Sequence, residues 1–211
     1  PSANDTVVIM TTVEEIKYGV ELTVDAAAKS TVAGVNATYI LTVKNTGNVA
    51  DNYTLRVDNP DNATVAELNV SSTPVLAPGE NFTVLLNVTN ETKGTFRVNV
   101  TATSVGNTSV FDYVNTTTTV GRTQTYIVNG TGEINATDIA DTNVSYNTIA
   151  PVNITVGEYP ANPGTSFGGD IGKYIDVRIN DTSKVINLTI KLFYTDTELG
   201  GKNESALRML W

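Results

Sequence analysis

An all-β fold, laid out as two β-sandwich domains in tandem, is what this sequence predicts. Three observations carry it. Apolar and polar residues alternate in runs of five to ten that recur at short spacing along the 211 residues, which is the two-residue period of a strand with one buried face. Turn chemistry separates the runs: Ala33-Gly34, Asn45-Thr46-Gly47-Asn48, Asp58-Asn59-Pro60-Asp61-Asn62, Ala77-Pro78-Gly79, Lys93-Gly94 and Gly106-Asn107, rich in residues that tolerate tight-turn backbone angles. No long helical period intervenes, so the strands have only each other to pack against.

Taken in order, an apolar run over 5–13, with a strand at 6–11, makes an N-terminal arm (1–17) behind the polar hinge Glu14-Glu15-Ile16-Lys17. A first sandwich over 18–120 takes strands at 20–25, 36–44, 52–58, 64–70, 81–89, 95–104 and 109–119. Tyr39, Leu41 and Val43 share one face, as do Tyr53, Leu55 and Val57 in the next run. Phe82, Val84, Leu86 and Val88 do the same, and so do Phe96, Val98, Val100 and Ala102. A second sandwich over 121–211 takes strands at 123–128, 143–146, 151–157, 173–180 and 185–194. Two short stretches read as helical: Val24–Lys29, with its three consecutive alanines, and Thr195–Leu199.

Against this frame one triplet is over-represented. Asn-x-Ser/Thr, with x not proline, occurs 18 times, at Asn4, Asn36, Asn52, Asn62, Asn69, Asn81, Asn87, Asn90, Asn99, Asn107, Asn115, Asn129, Asn135, Asn143, Asn153, Asn180, Asn187 and Asn203. With 23 asparagines, 34 threonines and 10 serines, composition alone would place about 5 such triplets. Their phase is also informative: in nearly every run the acceptor falls opposite the apolar face, on the side meant for solvent. The sequence therefore predicts N-linked carbohydrate over the outer faces of the sheets, and with it passage through a secretion machinery. Asn36, Asn52, Asn81, Asn87, Asn99 and Asn187 are the safest acceptors on this ground.

Composition narrows the setting. The chain has no Cys and no His, a formal net charge of −9 and a pI near 4.4. Secreted eukaryotic β-domains of this size usually carry disulfides. The bacterial acceptor rule, Asp/Glu at the second residue before the asparagine, is met only at Asn69, Asn135 and Asn143. An archaeal, extracellular envelope is the remaining fit. Acidity disfavours nucleic acid and anionic membrane as partners, and no run of 18 apolar residues is present for membrane insertion by this segment. The chain opens on Pro1-Ser2 without a basic, apolar leader, which reads as a mature or excised ectodomain.

Two stretches carry a family resemblance. Tyr39–Thr46 with Gly47-Asn48, then Asp51–Leu55, then Leu76-Ala77-Pro78-Gly79-Glu80 ahead of Phe82–Val88, resembles the CARDB and NEW3-type immunoglobulin-like domains of prokaryotic surface proteins. In those families the N-T-G turn joins two core strands and the L-x-P-G-E turn precedes a later one. The resemblance spans about residues 18–120 and implies an immunoglobulin-like β-sandwich there; with the strand runs that follow, the expected architecture is two tandem immunoglobulin-like β-sandwich domains. Further on, Phe193-Tyr194-Thr195-Asp196-Thr197-Glu198-Leu199 and Glu204-Ser205-Ala206-Leu207-Arg208 are similar to a domain of archaeal surface glycoproteins, which implies a further strand beyond Trp211.

Chemistry is mostly excluded. Without His or Cys there is no imidazole base, thiolate or zinc site of the usual kind, so no enzyme and no cofactor is expected. Calcium is the one metal to weigh: Asp58, Asp61 and Asn62 crowd one turn, and Asp138 and Asp141 another. Oxygen ligands suit that ion, but short Asx residues also favour turns for their own sake, and chelation is expected to leave stability unchanged. Tyr39, Tyr53, Phe82 and Phe96 alternate inward and read as core. Two function classes survive. One is a structural, glycosylated subunit of a surface layer, sheath or filament, self-assembling with identical subunits and other cell-envelope components. The other is an adhesive or carbohydrate-binding module of a larger surface protein. For assembly, Val7, Val8, Ile9 and Met10 form an apolar strand suited to adding onto a neighbour's open sheet edge.

Overall fold

The computed structural model describes residues 13–163 and 170–207. The arm strand expected at 6–11, with Val7, Val8, Ile9 and Met10, lies outside these residues, as do Arg208–Trp211. The chain is all-β, with strands alternating apolar-in and polar-out.

The first unit contains β1 (Val20–Val24), β2 (Ala28–Val32), β3 (Ala37–Asn45), β4 (Tyr53–Asp58), β5 (Val65–Leu68), β6 (Asn81–Thr89), β7 (Gly94–Ser104) and β8 (Phe111–Gly121). They form two four-stranded sheets, in the orders β1-β3-β6-β5 and β2-β8-β7-β4. This is the immunoglobulin-like layout, in which sequence-adjacent strands are shared between facing sheets. The chain changes sheets at 25–27, so β1 pairs antiparallel with β3 while β2 runs parallel to β8. There the helix expected over Val24–Lys29 does not form. Ala28 and Lys29 are taken into the ladder with β8, where tertiary pairing overrides a weak local propensity. Asp25 instead accepts from the backbone N–H groups of Ala26 and Ile40, at 2.9 and 3.1 Å, and pairs with Lys29 at 2.7 Å.

The core lies between the two sheets. Tyr39, Leu41, Val43, Tyr53, Val84, Leu86, Val88 and Val100 are all fully buried, and each large apolar side chain so buried contributes roughly 1.5–3 kcal/mol. The two tyrosines also satisfy their hydroxyls, as buried tyrosines must. Tyr39 Oη donates to Thr117 O at 2.8 Å in the facing sheet, and Tyr53 Oη to Gly19 O at 2.8 Å. Burial first, then the charge of Asp51, pushes Tyr53 up to about 12. Phe82 and Phe96 pack on the same cluster, so the four aromatics are core, as their phase predicts.

The two turns that carry the family resemblance meet at one side chain. Asn45 is 0% exposed. Its Nδ2 donates to Val49 O at 2.8 Å and Leu76 O at 2.9 Å, and its Oδ1 accepts from Gly47 N at 2.9 Å. Its backbone bonds to Glu80 and Gly79. One residue thus closes the N-T-G turn onto the A-P-G-E turn.

The second unit contains β9 (Thr123–Ala136), α1 (Thr137–Ala140), β10 (Thr142–Tyr159), β11 (Tyr174–Ile179), β12 (Val185–Leu192) and α2 (Asp196–Leu199). Two strands, 143–146 and 151–157, are expected where β10 runs unbroken, although proline is poorly tolerated inside a central strand. Here the ladder survives, and the register against β9 shifts between Thr148 and Val152, so the bulge absorbs Pro151. Opposite it, Gly130 takes φ +74°, a left-handed angle that glycine adopts without strain. β10 pairs with β9 along one edge, and with β12 and then β11 along the other. Among the described residues the second unit is therefore one hydrogen-bonded sheet, where the sequence leads one to expect two. Bulges of this kind let strands turn a corner between layers, and both halves supply one cluster: Ile134 and Val144 from one, Val152, Ile154 and Val156 from the other. The short helix expected at Thr195–Leu199 is present as α2. A capping box starts it, with Thr195 and Glu198 exchanging bonds.

The two units join where no side chain fits. A Cβ on Gly121 would lie 1.8 Å from Glu158 O, and one on Gly157 would lie 2.8 Å from Arg122 O. Arg178 adds a long contact, Nη2 to Ala33 O at 3.5 Å, and pairs with Asp176 at 2.7 Å.

Candidate functional site

The candidate site is a surface rather than a cleft. Of the 18 acceptors, Asn4 lies outside the described residues, and none of the other 17 is buried. Twelve are exposed: Asn36, Asn62, Asn69, Asn81, Asn107, Asn115, Asn129, Asn135, Asn153, Asn180, Asn187 and Asn203. Asn52, Asn87, Asn90, Asn99 and Asn143 are half-buried. Among the described residues the one fully buried asparagine, Asn45, is outside any acceptor triplet.

Strand phase explains this placement. On β6, Asn81 and Asn87 stand opposite Val84, Leu86 and Val88, all buried. On β9 and β10, Asn135 and Asn153 alternate with buried Ile134 and Ile154. At the turns the acceptors act as Asx residues, whose carboxamide oxygen takes a backbone N–H two residues on. Asn107 does this with Ser109 at 3.1 Å, Asn135 with Thr137 at 3.1 Å and Asn203 with Ser205 at 3.1 Å. In each case the partner is the hydroxyl residue of the same triplet.

Three acceptor pairs face each other across strands. Asn99 on β7 is directly opposite Asn115 on β8, and its Nδ2 donates to Asn115 Oδ1 at 2.9 Å. Asn143 on β10 is opposite Asn135 on β9. Asn153 and Asn180 exchange bonds, Asn180 N to Asn153 O at 3.2 Å and Asn153 N to Asn180 Oδ1 at 2.8 Å. Sequence reasoning does not reach these pairings, because they depend on register.

In the turns weighed for calcium, Asp61 and Asp141 are paired with basic side chains. Both carboxylate oxygens of Asp61 take Arg97, Nε at 2.8 Å and Nη2 at 2.9 Å. That hydrogen bond holds the Asp61 pKa down to about 2. Asn62 sits in the left-handed region at φ +53° and Asp141 at φ +45°, a conformation in which Asx residues are enriched. Asp141 pairs with Lys173 at 2.5 Å, and the same ammonium reaches Glu198 at 2.9 Å. Among the described residues no three acidic side chains converge.

One feature escapes sequence reasoning. Phe111 and Tyr113, on the outer face of β8, are 59% and 55% exposed. They lie next to Asn115 on the same face. A groove of about 430 Å³ at the joint between the units is lined by Lys93, Gly121, Arg122, Asp138, Glu158 and Pro160. No helix among the described residues is long and apolar enough to cross a membrane.

Neither a protein-family model nor a curated protein matches the chain. Among solved structures it is similar to the PapD-like domain 7 of human CEP192, at 11% identity and a TM-score of 0.40, over 57% of this chain and 96% of that one. It is similar also to the CARDB domain of a Pyrococcus furiosus protein solved with two metal ions, at 20% identity and a TM-score of 0.31, over 52% and 98%. A third likeness is to domains 1–6 of the surface layer protein SbsC, at 14% identity and a TM-score of 0.36, over 89% and 27%. At these scores the likenesses assign no family, and the immunoglobulin-like description stands on the strand order of the first unit.

Proposed function

We propose that the chain is a structural, heavily N-glycosylated subunit of an archaeal cell-surface layer, sheath or extracellular filament. The observation that carries this reading is the sorting of asparagines: 17 described acceptors without a buried one, and a buried Asn45 outside any triplet. Glycan on such positions coats the outer faces without disturbing either core. The same reading makes the chain no enzyme, binding no metal or cofactor, with carbohydrate as its only added chemistry. Its partners are identical subunits and other envelope components, at the cell surface.

Intact-mass measurement of the protein from its own cells tests this directly. A mass well above the bare 22.4 kDa, falling on enzymatic or chemical deglycosylation, is expected. The bare mass ends the reading. Assembly by strand addition is the second half of the proposal, with residues 5–13 as the donor. Removing residues 1–16 is expected to give folded monomers that no longer polymerise, whereas a chain that fails to fold makes that strand intramolecular.

The exposed Phe111 and Tyr113 favour a second reading, an adhesive or carbohydrate-binding module. Aromatic faces stack on sugars and other apolar surfaces, and this pair is not needed for the core. Loss of adhesion or sugar binding in a Phe111→Ala/Tyr113→Ala variant that still assembles would move the function to that class.

A further inference from the structure

We propose that two acceptors are kept bare by a neighbour's sugar: glycan on Asn115 excludes glycan on Asn99, and glycan on Asn135 excludes glycan on Asn143. The inference rests on the glycosylated reading above and specifies how that surface is filled. Side chains directly opposed in an antiparallel ladder stand about 5 Å apart, a gap that a single pyranose ring occupies. In each transfer the anomeric carbon of a phosphate-activated glycosyl donor loses its bond to phosphate oxygen and gains one to asparagine Nδ2. The displaced proton leaves with the phosphate. Once one member of a pair carries its sugar, that ring covers the nitrogen opposite.

The members of each pair are not equivalent, and this sets which one wins. Asn99 is half-buried on a central strand, with Asp58 of β4 on one side and Asn115 on the other. Its Nδ2 is engaged with Asn115 Oδ1, and its Oδ1 accepts from Thr101, the hydroxyl of its own triplet. Asn115 is exposed, and its row lies before β2 begins pairing with β8 at Thr117. Asn143 repeats the pattern. It is half-buried on β10 between Asn135 and Lys191, its Nδ2 donates to Glu133 Oε1 at 2.7 Å, and its Oδ1 is buried without a hydrogen-bond partner. Asn135 is exposed on β9, an edge strand among the described residues. Strand phase alone ranks Asn99 among the safest acceptors; its neighbours across the sheet reverse that ranking.

Glycopeptide mass spectrometry of the protein from its own cells reads the occupancy of each site. In the unaltered chain, sugar is expected on Asn115 and Asn135, with Asn99 and Asn143 bare. Thr117→Ala or Thr137→Ala removes the neighbour's triplet while leaving both asparagines in the ladder. Occupancy is then expected to rise at least several-fold at Asn99 in the first variant and at Asn143 in the second. Asn115→Gln gives the same readout for the first pair if Thr117→Ala does not fold. Single molecules carrying both sugars of a pair, or acceptors that stay bare in the variants while other sites are filled, overturn the exclusion. A chain without carbohydrate anywhere overturns the glycosylated reading, and the exclusion with it.

Discussion

The two units bury their apolar residues by different means. In the first, eight short strands divide between two facing sheets, and the core is a closed layer in which Tyr39, Leu41, Val43, Val84, Leu86 and Val88 are all 0% exposed. In the second, four strands form one sheet among the described residues, and its longest strand, of 18 residues, spans a bulge. Val144, Ile154 and Val156 are just as buried there, but Tyr146, Ile175, Leu188 and others around them are only partly so. A two-layer sandwich encloses its core on both sides. A sheet with no facing sheet among the described residues encloses its core less completely, and its rim stays wet.

That difference is breakable by truncating one buried side chain in each unit. Leu41→Ala is expected to remove about 4 kcal/mol, near the upper part of the range for such changes, because rigid strands on every side keep the cavity open. Ile154→Ala should remove about 2–3 kcal/mol, since the half-buried rim can relax into the space. Chemical denaturation of both variants at neutral pH measures the two losses. Equal losses would mean that the second core is as closed as the first.

The next effect isolates the polar side of the first unit. Asn45→Ala leaves the half-buried Val49 O and Gly47 N without their partners and takes from the buried Leu76 O one of its two donors, Asp51 N at 3.1 Å remaining. Unmet buried backbone groups each cost about 1–3 kcal/mol, partly relieved by water, so roughly 3 kcal/mol in total is expected. In a chain of this size that corresponds to a melting temperature lower by roughly 6–12 °C. The second unit has no counterpart of this side chain among the described residues. A melting temperature within a degree or two of the unaltered chain would mean that water replaces Asn45 fully.

Much of the first unit was legible from alternation, because a strand with one dry face writes its phase directly into the residue order. Tyr39, Leu41 and Val43 against Thr38, Thr42 and Lys44 needed no further information. β2 was missed because Ala28-Lys29-Ser30 carries no apolar alternation; its place comes from parallel pairing with β8. Thr116–Thr119 shows the same limit. Thr116 and Thr118 are buried and their neighbours are not, yet four identical residues cannot announce which two turn inward. In the second unit the continuity of β10 past Pro151 is not written in the sequence, since a proline breaks a ladder unless a bulge receives it. The acceptors were legible one by one, and none of the 17 described is buried. Their pairing across strands was not, because register arises from turns and bulges far from each asparagine.

The smallest expected effect compares one depressed carboxylate in each unit under acid. In the first, hydrogen bonding to Arg97 holds Asp61 at about 2, against an ordinary 3.8. In the second, the backbone N–H of Thr195 and then Lys173 hold Glu198 at about 2, against an ordinary 4.5. Burial works against the Lys173 ammonium, but Asp141 and Glu198 more than offset it and raise its pKa, so it stays charged throughout. A carboxylate whose folded value is depressed contributes stability that is fully present above its unfolded value. That contribution fades as pH falls through the folded value. Both contributions are therefore intact at pH 7 and lost between about pH 4.5 and 2, with Glu198 beginning to fade first because its ordinary value is higher. These pairs are solvent-facing, so salt should weaken both. Denaturation curves at pH 7, 4 and 2.5 should show the second unit losing stability at a higher pH than the first. Glu198→Gln should flatten that part of the profile, and Asp61→Asn should flatten only the more acid part. Profiles unchanged in both variants would show that the two ion pairs contribute nothing to either unit, leaving the acid response to other lowered carboxylates such as Asp25 and Asp181 and to the general charge of a −9 chain.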